Sequence, residues 1–175
     1  MKQVVQNLRG DVRLADVPPP SLRPGGVLVR TVCSVVSPGT ERANVEQTRR
    51  PLLARARERP DLVRQVLERI RKDGLGATLR SVNQRLDALV PMGYSSAGVV
   101  EGVGEGVEEL RVGDWVACAG GGYASHAELV WVPKLLCARV PAYAPGVGPE
   151  GGERRVRLED AAFATLGAKI GRAHV

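Results

Sequence analysis

The chain has 175 residues and a formal net charge of +6, with 43% hydrophobic and 25% charged residues. These values are ordinary for a soluble globular protein and allow one domain with a sizeable core. Aromatics reach only 3%, so Val, Leu and Ala must fill most of that core, and no run of about 18 apolar residues is present to cross a membrane as a helix.

The N-terminal MKQVVQNLRGDVRL mixes polar and apolar residues and lacks the apolar core of a signal peptide. Val12 and Leu14 alternate with polar neighbours, and Pro18-Pro19-Pro20 then makes a stop that no central strand tolerates. Pro24-Gly25-Gly26 is a turn. VLVRTVCSVV, residues 27–36, is β-branched and long enough for a strand buried on both faces, ended by Ser37-Pro38-Gly39. Residues 41–90 change character, with twelve Arg or Lys against seven Asp or Glu. Pro60 and Asp61 suit a helix N-terminus, Leu62, Val63, Val66, Leu67 and Ile70 recur at helical spacing, and Gly74 suits a C-cap. A second helical stripe runs through Leu75, Leu79, Val82, Leu86 and Leu89 until Pro91. The insert therefore has one apolar and one arginine-rich face. Beyond it, AGVV, DWVACA and AELVWV read as short strands with the spacing of a small barrel. Residues 141–156 are Pro/Gly-rich and polar, hence a loop, and a helix is expected over Leu158–Ala168.

Three widely spaced cysteines, Cys33, Cys118 and Cys137, form no CxxC pair and read as reduced, buried thiols of a cytoplasmic protein. His126, alone in a strand-like segment, reads as structural. GVGEGVEEL, residues 102–110, is not a dinucleotide fingerprint: Val107 stands where a glycine is needed, and Glu105, Glu108 and Glu109 would repel a pyrophosphate. The basic insert could suit phosphate, but it has no aromatic for base stacking and its acids are interspersed, so nucleic acid is not expected. The final KIGRAHV follows an Ala-rich helical run abruptly and matches a translated sequencing adapter; residues 169–175 are expected to be a non-native tail.

Gly93, Gly98, Val100, Val103, Gly104, Val107, Gly113, Asp114 and Val116 stand in a register that resembles the medium-chain dehydrogenase/reductase motif G-H-E-x-x-G-x-V-x-x-V-G-x-x-V followed by G-D-x-V. VLVRTVCSVVSPGTE is similar to the strand and active-site turn of that superfamily, GGYASHAELVWVP to a later strand, and LEDAAFATLGA to the helix entering its cofactor domain. The resemblance covers most of residues 1–168 except a helical insert at about 41–91. It implies a mainly β (α+β) fold, a GroES-like partly open β-barrel cut off before the Rossmann domain. The combination most resembles the dehydrogenase half of bi-domain oxidoreductases.

The zinc-dependent members of the superfamily carry Cys, His and Cys at positions that fall here on Ser37, Tyr94 and Ala168, and the motif's Glu falls on Ser95. Serine, tyrosine and alanine do not supply the ligands a catalytic zinc needs, so no zinc is expected. Ser37-Pro38 instead resembles the Asn-Pro of zinc-independent quinone reductases. That implies NAD or NADP in the full-length protein, hydride transfer by the cofactor, and a small-molecule carbonyl, alcohol or activated alkene as substrate. Tyr94, as proton donor or orienter, and Ser37 are then the catalytic candidates; Thr40, Glu41 and Ser95 line the cleft. The 175-residue piece is expected to be inactive alone. The competing reading is a non-catalytic barrel module, in which the basic helical insert binds a protein partner or a second copy.

Overall fold

The computed structural model of the chain describes residues 1–49, 57, 60–144 and 154–163. Its first half contains β1 (Lys2–Gln6), β2 (Val12–Asp16), β3 (Gly26–Ser34), α1 (Pro38–Arg49), α2 (Pro60–Asp73), α3 (Leu75–Asp87) and β4 (Val90–Pro91). The second contains β5 (Ser95–Val103), β6 (Trp115–Ala119), β7 (Leu129–Pro133), β8 (Cys137–Arg139), β9 (Tyr143–Ala144), β10 (Arg154–Arg155) and α4 (Leu158–Ala161). Two compact units result: Met1–Val4, Leu14–Val36 and residues from Pro91 onward in one, Val5–Arg13 and Ser37–Val90 in the other.

The first unit is built on a five-stranded, all-antiparallel sheet in the order β7-β3-β5-β6-β8, curled into a half-barrel. Its inner face holds Val27, Val29, Val100, Val116, Cys118, Val130 and Val132, closed by Val107, Leu110, Ala124 and Ala127. No aromatic ring is among these buried residues, and valines are the largest fully buried side chains. The second face packs Val35 and Ala97 against Leu158, Ala161 and Ala162, in and just after α4. Pairing on β3 slips between Thr31 and Cys33, leaving Val32 as the extra residue of a bulge. Because side chains alternate with period two, that residue exchanges the faces. Val27 and Val29 point inward before it; after it Ser34 takes the inner face, and Cys33 and Val35 turn to α4. The expectation of a strand buried on both faces over residues 27–36 is corrected accordingly: Val32 is 50% exposed.

The glycine and valine frame of the sequence lies in this sheet and its turns. A Cβ on Gly98 would collide with the Arg30 carbonyl oxygen across the β3–β5 pair, and one on Gly104 with the Arg23 carbonyl. Val100, Val107 and Val116 are core residues, and Val103 packs against them. The Asp114 carboxylate accepts from the Arg111 N–H at 2.9 Å, closing the turn into β6. The segment 102–110 is a barrel turn: the Gly104 N–H donates to Gly26 O at 2.9 Å, and Val107 and Leu110 are buried.

In the second unit the helices follow the periodicity read from the sequence, with earlier entry. Pro38 opens α1, since a first-turn proline gives up no helical hydrogen bond. Pro60 and Asp61 open α2, and Arg71 and Lys72 sit in its last turn, matching the helix dipole at both ends. The Gly74 N–H closes that helix on Ile70 O at 3.0 Å. On α3, Leu86 is buried and Thr78 donates its hydroxyl to Gly74 O at 2.9 Å. Arg9 Nε meets Asp87 at 2.6 Å. Much of the apolar stripe is nevertheless open: Leu67 is 55%, Leu75 66% and Leu79 58% exposed. β8 and the β9–β10 pair were not foreseen; the latter lies within residues 141–156, read from sequence as all loop. The loop interior at 145–153, the end of the Leu158–Ala168 helix and the tail fall outside the described residues.

Candidate functional site

Three chain segments meet around Gly93. The Val4 N–H donates to His126 O, the His126 N–H to Met92 O, and the Met92 N–H to Val4 O, at 2.8, 2.8 and 3.0 Å. Gly93 itself has a φ of +95°, and a Cβ there would lie 2.8 Å from the His126 nitrogen and 2.9 Å from its ring. Only glycine meets both demands. The next residue, Tyr94, is half-buried, and its carbonyl accepts from the Gly120 N–H at 2.9 Å. Its backbone is therefore tied to the turn that follows β6.

Ser95, expected from the sequence to line a cleft, lies at the start of β5. It is fully buried, and its hydroxyl donates to Ala162 O at 2.6 Å, so it fastens the end of α4 to β5. Ser37 is half-buried, and its carbonyl accepts from the Glu41 N–H at 2.9 Å in the first turn of α1. Glu41 sits in that acidic first turn; the side chain of Thr40, on the same helix, is outside the described residues. Tyr94 and Ser95 thus belong to the sheet unit, and Ser37, Thr40 and Glu41 to the helical one.

The register of the sheet assembles a row of polar side chains that the sequence reading did not connect. Ser34 stands opposite Ser96, Ser96 opposite Cys118, and Cys118 opposite Cys137, across β3, β5, β6 and β8. His126 Nδ1 lies 2.9 Å from Ser34 Oγ at one end of this row. The two sulfurs lie 3.8 Å apart at the other. Ser96 is 1% exposed, and its hydroxyl has no hydrogen-bond partner among the described residues. Either thiol can donate in this contact, which pushes Cys118 up, reinforced by burial, and holds Cys137 below the usual thiol range. Cys33, on the opposite face, is raised by burial first and by the charge of Glu159 second. Separations of 85 and 19 positions hide Cys118 from Cys33 and Cys137 in the sequence; only strand register reveals the pair.

Among the described residues, cavities open on the sheet unit. One, of about 600 Å³, is lined by Val32, Trp115, Arg155, Val156, Leu158 and Glu159, among others. Another, of about 250 Å³, includes Arg23, Tyr123, Ser125 and Trp131, with the Arg23 guanidinium stacked 4.0 Å over the Trp131 ring. Tyr94 lines neither. Among the described residues no helix is long and apolar enough to cross a membrane.

Neither a protein-family model nor a curated protein matches the sequence. Solved structures do. Galactitol-1-phosphate dehydrogenase from Escherichia coli is 20% identical at a TM-score of 0.55, over 93% of this chain and 41% of that one. Mycobacterial Rv1454c, solved with NADPH, gives 22% and 0.58 over 98% of this chain and 40% of that one. Escherichia coli quinone oxidoreductase, also solved with NADPH, gives 14% and 0.56 over 94% of this chain and 37% of that one. The chain shares its fold with part of each of these structures. This chain spans about two fifths of the length of these dehydrogenase/reductase neighbours.

In the medium-chain dehydrogenase/reductase frame, the residues here at the expected zinc positions offer hydroxyls from Ser37 and Tyr94; Ala168 lies outside the described residues. Neutral hydroxyls are poor partners for a divalent zinc, which takes thiolate, imidazole or carboxylate. Among the described residues, these two hydroxyls do not by themselves make a zinc donor set.

Proposed function

We propose that residues 1–168 are the N-terminal, substrate-side domain of an NAD(P)-dependent oxidoreductase that works without zinc, residues 169–175 being a non-native tail. The observation that carries this reading is the Gly93–Val116 frame, in which Gly93, Gly98 and Gly104 sit where backbone from neighbouring segments approaches and Val100, Val107 and Val116 fill the half-barrel core. The shared fold supports it separately, through neighbours that include a named quinone oxidoreductase solved with NADPH.

A bound nicotinamide would supply hydride transfer to or from a carbonyl, alcohol or activated alkene. The chain's own task is to orient the substrate and manage a proton. Tyr94, its backbone tethered through Gly120, is the proposed donor to the substrate oxygen. Ser37, Thr40 and Glu41 are proposed to contact substrate or cofactor from the start of α1. Ser95 acts from beneath, by holding α4. A cytoplasmic protein without nucleic-acid or membrane partners belongs to the same proposal.

The exposed Leu67, Leu75 and Leu79 favour the second reading, a module whose insert binds a protein partner or another copy. Assay of the full-length gene product with NADH and NADPH against carbonyl, alcohol and quinone panels separates the two. Turnover is expected, and Tyr94→Phe should lower kcat/KM about 100-fold without altering the melting temperature. Turnover unaffected by the substitution removes Tyr94 from the mechanism. Absence of turnover with every pair overturns the oxidoreductase reading in favour of the module.

A further inference from the structure

Cys118 and Cys137 stand directly opposite each other on adjacent antiparallel strands, with 3.8 Å between sulfurs and no disulfide. Directly opposed residues have Cβ atoms about 4.5–5.5 Å apart, close to the separation a disulfide spans. Joining the sulfurs at about 2.05 Å needs an approach of under two ångströms. The strand that must move is β8, three residues long and at the edge of its sheet. The two thiols also differ in access. Cys118 is 2% exposed in the inner core, whereas Cys137 is half-buried at its margin.

We propose that Cys118 and Cys137 form an oxidisable dithiol that hydrogen peroxide converts to an intramolecular disulfide joining β6 to β8. Cys137 is the sulfur oxidised first. Its thiolate takes one oxygen from peroxide, giving a sulfenic acid, and the released hydroxide picks up a proton to leave as water. The Cys118 sulfur then attacks the sulfenic sulfur; the S–O bond breaks, and the hydroxyl leaves with the Cys118 proton as a second water. Two thiols are oxidised by one peroxide, which is reduced to two waters. The contact with Cys118 at 3.8 Å lowers Cys137 and favours its thiolate, the nucleophile this order requires. Cys33 takes no part: it lies on the other face of the sheet, turned toward α4.

The crosslink would close the segment 119–136, whose Gly120 N–H holds the Tyr94 carbonyl and whose His126 holds Ser34. Oxidation of the dithiol therefore acts on the chain that carries the Tyr94 end of the sheet. This inference is independent of the proposed oxidoreductase activity, and needs no substrate to test.

The experiment treats the purified, reduced 175-residue chain with about one equivalent of hydrogen peroxide and counts thiols after denaturation. Titratable thiols should fall from three to one, the intact mass should drop by two hydrogens, and dithiothreitol should restore both. Trypsin should release Val112–Lys134 disulfide-linked to Leu135–Arg139. Cys33→Ala should form the same link, and Cys137→Ser should abolish it. The reaction should be at least tenfold faster in buffer than in concentrated urea, because the fold brings the sulfurs together. Equal rates in urea, a link to Cys33, a crosslink between chains, or accumulation of sulfinic acid without a disulfide would each overturn the proposal.

Discussion

Gly98 illustrates what a single atom costs in this sheet. A Cβ there would run into the Arg30 carbonyl oxygen and lie 2.9 Å from both the Arg30 carbonyl carbon and a Val29 methyl. Those atoms belong to the paired strand and the core, so neither can yield without disturbing the β3–β5 register. Gly102, four residues along β5, has only Leu22 and Leu28 side-chain atoms at 3.5–3.7 Å, ordinary packing distance. We therefore predict that Gly98→Ala destabilises by about 3 kcal/mol, as overpacking of a full site does. Gly102→Ala should change stability by less than about 1 kcal/mol. Urea denaturation of the two variants checks the contrast, and equal midpoints would refute the clash. Such glycines were legible in the sequence because a motif fixes their type and spacing. The partners of Ser95 and His126 were not, since a hydrogen bond across 67 or 92 positions leaves no local mark.

Among the elements, those with a long period were read and those set by register were not. The stripes on α2 and α3 repeat over several turns, so their limits fall close to the expected residues. β8 is too short to show an alternation, and the Val32 bulge, invisible as a pattern, decides which of Cys33 and Ser34 faces inward. α4 is only four residues long and, besides the packing of Leu158 and Ala161, is held by the Ser95 bond to Ala162 and the charge at its first turn. The Glu159 carboxyl is held below the usual carboxylate range by its own backbone N–H and then by the Arg157 guanidinium at 3.3 Å. A carboxylate lowered in the folded state adds stability above its unfolded pKa, about 4.3, and loses it as the pH falls through the folded value. The wild type should therefore melt slightly above Glu159→Gln at about pH 7, and the gap should vanish near pH 2. Because the pair is exposed, added salt should also narrow it. A gap that persists at low pH would show that the glutamate acts by packing and not by charge.

At the scale of the whole molecule, fold and chemistry part company. The frame residues do architectural work: Gly93 admits His126, Gly98 and Gly104 admit carbonyls, and Val100, Val107 and Val116 fill the core. Backbone clearance and core packing set these positions, and neither depends on which side chains are offered to a metal. Motif matching alone therefore reads the half-barrel correctly and says nothing about zinc. The donor chemistry at Ser37 and Tyr94 does bear on it. Reconstituted with excess zinc and then desalted, the full-length gene product should retain less than about one tenth of an equivalent by elemental analysis, because neutral hydroxyls cannot replace the anionic and imidazole ligands of a catalytic site. Its turnover, if the oxidoreductase reading is right, should be unaffected by a strong chelator. The 175-residue chain alone should give no NAD(P)H oxidation, since the proposed reaction needs a cofactor domain that this half-barrel does not provide. Zinc near one equivalent, with activity lost on chelation, would mean that ligands from elsewhere in the protein complete a metal site. The role given to Tyr94 would then pass to the metal.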